Sequence, residues 1–163
     1  GRLTWLRPDA KSQVTFDSIY HELKRQKVKY PELFTVLAVS ESGLGTYDED
    51  VFLIAINNFW SLAYEKGCHC KNKEGFASYA NLTAAIKDLK KRFQPTLKKT
   101  HTEKELVKYL CMYYVGATPE STKGTLWMRK LKTIYNITND HIYKHHNKHL
   151  DYDSYQKKKK RNL

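Results

Sequence analysis

Several kinds of signal are missing from this 163-residue chain. Its cysteines, Cys68, Cys70 and Cys111, are odd in number and give no disulfide framework. The Cys68-His69-Cys70 pair lacks the spacing of a structural zinc site, and His141, His145, His146 and His149 lie far off in sequence, so no metal is expected. No glycine-rich phosphate loop is present, nor any internal repeat, and nothing calls for a cofactor. No apolar run is long enough to span a bilayer, and the polar first residues do not form a cleavable export signal. Acidic residues are scarce: 17 Asp and Glu face 29 Lys and Arg, for a formal net charge of +12. That imbalance implies an anionic partner such as nucleic acid, an acidic membrane surface or an acidic cell-wall polymer. No nucleic-acid-binding motif accompanies the charge, so a basic binding module rests on charge and aromatics alone.

What the chain does contain is aromatic and apolar residues at helical spacing. Tyr, Trp and Phe make up 13% of it, which excludes a disordered chain, and its length suits one domain with a proper core. Asp17 can cap a first helix with Ile19, Tyr20 and Leu23 turned inward. Asp48 can cap a helix through Val51, Phe52, Ile54, Ala55 and Ile56. From Phe59 to Tyr79 the helical period lapses, and Gly67 and Gly75 bracket a polar stretch that reads as a short β-hairpin or a long loop. Asn81 caps a helix that should end before Pro95. Thr102 and Glu105 form a capping-box pattern for the next, and Thr118-Pro119 can open another containing Trp127, Leu131 and Ile134. Asp140 to Leu150 adds a short terminal helix. The expectation is a mainly α domain over 17–150 with a small β element, preceded by a segment at 1–16 and followed by a basic tail at 151–163. The tail holds the run Lys157 to Arg161, which reads as a solvated end.

The most informative stretch is PELFTVLAVSESGLG, residues 31–45. Pro31 suits the first position of a helix, and Gly43 and Gly45 suit its end. Leu33, Phe34, Val36, Leu37 and Val39 cover every side, so this helix should be buried. It ends on Glu41. A carboxylate there is disfavoured as an anion by burial and by the negative end of the helix dipole, the condition a general acid needs near neutral pH. The plain alternative is a solvated glutamate beside a glycine cap.

Taken in order, VKYPELFTVLAVSESGLG, INNFW and GFASYANLTAAIKDLKKRF resemble the glucosaminidase family of peptidoglycan hydrolases. The resemblance covers roughly residues 17 to 95, and more loosely runs to Lys132. It implies a lysozyme-like fold and cleavage of β-1,4 glycosidic bonds of the glycan strand as an endo-β-N-acetylglucosaminidase. On this resemblance Glu41 matches the catalytic acid, Asn58 and Phe59 match the turn after the second helix, and Tyr79 matches the tyrosine near the cleavage point. The chain departs from the family in carrying Trp60-Ser61 where a glycine usually follows the aromatic residue. A muramidase or lytic transglycosylase acting on the same polymer is the near alternative, although INNFW stands where a transglycosylase carries a Gly-Leu-Met-Gln type segment.

Glycoside hydrolysis ordinarily uses two carboxyl groups. Asp48, Glu49 and Asp50 follow Glu41 too closely to be separated by spacing. Glu65 and Glu74 flank the expected hairpin, where family members often carry the second acid, and Glu65 is the favoured candidate. Assistance from the substrate's own N-acetyl group would remove the need for either, with Tyr79 orienting the sugar. Tyr79 can also be a core aromatic with its hydroxyl at the surface. Tyr47, Asn58, Phe59 and Trp60, with Tyr64, are the candidate sugar-binding residues, whereas Tyr113, Tyr114 and Trp127 fall at core spacing. The partner implied is bacterial peptidoglycan, in a cell-wall or phage-particle setting that admits other virion proteins. No nucleic acid is expected. Separately, WLRPDAKSQVTF, from Trp5 to Phe16, resembles a fragment of S-adenosylmethionine synthetase. Nothing after Phe16 continues that likeness, and Asp9 and Lys11 are assigned no catalytic role.

Overall fold

The computed structural model describes residues 14–43 and 51–146, apart from the side chains of 138, 139 and 141–146. Tyr47, Gly45, Asp48, Glu49, Asp50, His149, most of the 1–16 segment and the 151–163 tail lie outside the described residues. The fold is mainly helical with one small antiparallel sheet, as expected. Its elements run α1 (Phe16–Arg25), α2 (Pro31–Ser42), α3 (Val51–Ala55), β1 (Lys71–Lys73), β2 (Phe76–Ser78), α4 (Leu82–Lys99), α5 (Glu103–Val115) and α6 (Thr122–His146).

Helix α2 is the centre of the packing. It leaves Tyr30 in the left-handed conformation, takes Pro31 at its first turn and closes on left-handed Gly43, whose N–H bonds to Val39 O. Every residue from Leu33 to Val39 is buried, as the all-round apolar pattern predicts. Helices α1 and α6 pack against it, α5 joins α6, and α4 lies against α1. Fully burying one such leucine or phenylalanine is worth about 1.5–3 kcal/mol relative to leaving it exposed. Thr35 and Ser42 sit in this apolar setting by bonding back to Pro31 O at 2.8 Å and Ala38 O at 2.7 Å.

Other boundaries differ from the sequence reading for identifiable reasons. Thr15, not Asp17, caps α1, with Ser18 completing a reciprocal capping box, and Phe16 is buried. The expected division after residue 16 therefore cuts through the start of the helical unit. Pro95 lies inside α4 instead of ending the helix, and the helix continues to Lys99. The expected helices from Thr118 and Asp140 are one helix, α6, whose start is set by Ser121: its hydroxyl accepts from Gly124 N at 3.0 Å. Gly124 is required there, because a Cβ would overlap the Thr118 carbonyl.

The hairpin pairs Lys71 with Ser78 and Lys73 with Phe76. Glu74 and Gly75 both have positive φ, 54° and 90°, the two-residue turn whose twist matches its strands. Residues 62–64 run beside β2 through Ala77 N to Leu62 O and Tyr64 N to Gly75 O. Among the described residues no helix is long and apolar enough to cross a membrane.

Candidate active site

Glu41 occupies the last turn of α2, half-buried between buried Val39 and Ser42. No basic residue shares that turn, so the negative end of the helix dipole is not offset locally. From α5, Tyr114 brings a buried hydroxyl that has no hydrogen-bond partner among the described residues. Burial pushes this phenol well above its usual pKa, and the charge of Glu41 raises it further, followed by Tyr113, while Arg92 lowers it. Its ring stacks on Trp127 from α6, with centroids 6.4 Å apart.

A second group of polar side chains lies between the hairpin and α4. The Tyr79 hydroxyl donates to Asp88 Oδ2 in a short hydrogen bond. Arg92 Nε donates to the same oxygen at 2.9 Å, and Arg92 Nη1 stands 3.3 Å from Glu65 Oε1. Tyr79, Asp88 and the Arg92 side chain are all buried, whereas Glu65 is 61% exposed. Neither terminal nitrogen of Arg92 makes a hydrogen bond. Burial raises the Tyr79 phenol far above its usual value, and its bond to the Asp88 carboxylate adds to the effect. The two groups share a neighbourhood, since Tyr114 responds to Glu41, Arg92 and Tyr79 together.

Glu65 and Tyr79 are thus linked through Arg92 and Asp88. The role expected of Tyr79 needs correction: its ring is buried and its one proton is committed to Asp88, so it holds a carboxylate and presents no hydroxyl to a ligand. Its own backbone is held by Ile56 O and by Asn57 Nδ2. Glu74 is exposed at the hairpin tip, where it forms the turn.

Asn58, Phe59 and Trp60, expected to bind sugar, are 0% exposed and cannot do so from these positions. Asn58 Nδ2 donates to Leu62 O and Ala77 O at 2.8 and 2.9 Å, and its Oδ1 accepts from Leu62 N at 2.8 Å. Trp60 Nε1 donates to Phe34 O at 2.8 Å, fastening this turn to the middle of α2. Ser61 carries a left-handed backbone, φ 51°. These residues are internal struts, as polar groups in a core must be.

Sequence reading also assigned the wrong aromatics to the surface. Tyr109 and Tyr113 on α5 are 41% and 44% exposed and stack with centroids 6.4 Å apart. Tyr113 also meets Phe93 edge-on, and its phenol is raised by burial and by Glu65 while Arg92 lowers it. An exposed tyrosine pair therefore stands beside the Arg92–Glu65 pair. Their i, i+4 spacing was the available signal, but it is equally that of a core stripe.

Cys68 and Cys70 are joined as a disulfide, which corrects the expectation of no disulfide. The turn after Gly67 (φ 91°) brings their Cα atoms to 5.2 Å, within bridging range. With His69, Lys71, Ser78, Tyr79 and Ala80 they line a cavity of about 510 Å³ beside the hairpin. Cys111 is a core thiol, its pKa raised by burial and then by Glu120. Among the described residues no group of three or more His, Cys, Asp and Glu is placed to hold a metal ion.

Comparison of the chain with family models, with curated proteins and with solved structures finds no match.

Proposed function

We propose that the protein is a peptidoglycan hydrolase that cleaves β-1,4 glycosidic bonds of the glycan strand, as an endo-β-N-acetylglucosaminidase. The observation that carries this reading is the position of Glu41: a half-buried carboxylate in the last turn of a helix buried from Leu33 to Val39. From that position Glu41 acts as general acid on the leaving glycosidic oxygen.

Glu65 is the second carboxylate. Exposed to solvent and oriented by Arg92, it activates water or stabilises the positive charge that develops on the sugar. Tyr79 and Asp88 act through Arg92 as positioning residues. Tyr109 and Tyr113 offer flat faces to the C–H faces of a sugar ring. The basic surface suits an acidic wall polymer, either during cell-wall remodelling or in a phage particle among other virion proteins.

The test is release of soluble fragments from purified peptidoglycan. Glu41→Gln should lower the rate by about 100-fold or more, the scale of general acid catalysis, with an unchanged circular dichroism spectrum. Undiminished release by that variant would overturn the assignment. Mass spectrometry of the fragments identifies the bond: reducing-end N-acetylglucosamine supports the glucosaminidase, reducing-end N-acetylmuramic acid means a muramidase, and an anhydro end means a transglycosylase.

A further inference from the structure

A second charged feature lies on the other side of α4 and plays no part in the proposed chemistry. Lys27, Lys29, Lys90 and Lys98 surround a cavity of about 330 Å³ whose remaining walls are Val28, Gln94 and Leu97. At about 100° per residue, the core stripe of α4 has Asp88 and Arg92 along one edge and Lys90 and Gln94 along the other. Lys87, Lys91 and Lys98 continue outward from that second edge, and all three are exposed. Two of the ammonium groups are held in place by main-chain carbonyls: Lys29 Nζ by Thr100 O at 2.9 Å and Lys90 Nζ by Gln26 O at 2.7 Å. No acidic side chain lines the cavity. Glu22, one turn before Gln26, is engaged by Arg25 and by the Gln26 amide.

We infer that this lysine-rimmed cavity and the lysine row of α4 form a docking site for a linear phosphodiester polymer, of the polyol-phosphate kind attached to bacterial walls. The choice of polymer, though not the polyanion site itself, rests on the hydrolase reading. Lysine meets phosphate as a point charge, whereas carboxylate recognition in two-pronged geometry uses arginine, and no arginine lines the cavity. The lysines from residue 87 to 98 extend over about 16 Å of helix, room for successive phosphates. No aromatic side chain lines the cavity to stack a base, which sets a base-free polymer above single-stranded nucleic acid. The site lies across α4 from Asp88 and Arg92, so a bound polyanion does not crowd the Arg92–Glu65 pair.

The experiment measures binding of the full chain to poly(glycerol phosphate) of defined length by fluorescence anisotropy. Affinity should fall by roughly one to two orders of magnitude between about 50 and about 200 mM salt. Combined Lys27→Gln, Lys87→Gln, Lys91→Gln and Lys98→Gln should weaken binding at least about tenfold, judged against a variant with the same charge loss elsewhere: Lys104→Gln, Lys108→Gln, Lys123→Gln and Lys130→Gln. Equal losses in the two variants would mean diffuse charge and overturn the site. Tighter binding of a single-stranded oligonucleotide of equal charge would overturn the choice of polymer. Release of fragments by the wild-type protein from polymer-free glycan tests the hydrolase reading by itself. Polymer binding that follows the expected pattern, without such release, supports the dock while that reading fails.

Discussion

One helix, α4, carries two kinds of charge. Asp88 and Arg92 on one edge are buried, share a hydrogen bond at 2.9 Å and engage Tyr79 and Glu65. Lys87, Lys91 and Lys98 on the outer side are exposed. A buried charge survives only where its partners replace the water it has lost, so the first edge fixes geometry. A solvated charge keeps its water, so the second edge fixes little and acts through its field. Basic residues of similar appearance in sequence thus differ: Arg92 is paired with Asp88 and Glu65, and the exposed lysines act through their field.

The sharpest way to break this contrast is Arg92→Met. It leaves Asp88 buried with Tyr79 alone, and should cost about 3–5 kcal/mol in urea unfolding. Adding Asp88→Asn should restore part of that loss, because the stranded charge is then gone. A loss under about 1 kcal/mol for Arg92→Met would place that edge with the solvated one.

Tyr79→Phe should cost about 1–3 kcal/mol at neutral pH, since Asp88 loses a donor. It also bears on alkaline stability. Burial raises the Tyr79 and Tyr114 phenols above the ordinary tyrosine value. The unfolded chain therefore releases these protons first as pH passes about 10, and the stability they contribute is present below that pH and lost above it. Midpoints of urea unfolding measured from neutral to alkaline pH should fall beyond about pH 10, and fall less steeply in Tyr79→Phe. The smallest effect belongs to the outer face: Lys87→Gln and Lys91→Gln should each change stability by no more than about 0.5 kcal/mol.

The same contrast explains what sequence could and could not reveal. Helix α2 was legible because Pro31, an unbroken apolar run and Gly43 all point to one structure, and Glu41 was found because it ends that run. The hairpin was legible in Gly67 and Gly75. Arg92 and Asp88 were not, because a charged residue at the edge of an amphipathic stripe looks the same whether its partner is water or a tyrosine 9 positions before Asp88. Pro95 was read as a stop although α4 passes through it. Phe59 and Trp60 suggest a binding surface in sequence because aromatic faces suit sugar rings, and Asn58 does so only through the resemblance. Hydrogen-bond partners such as Phe34 O and Ala77 O appear only once the chain is folded.

The fastening of Trp60 to α2 and of Asn58 to the hairpin has a mechanical consequence. The turn after α3, the hairpin and the middle of α2 are tied into one unit by side-chain bonds to main-chain carbonyls. Tyr109, exposed on α5, takes no part in those bonds, so a substitution there leaves the unit tied.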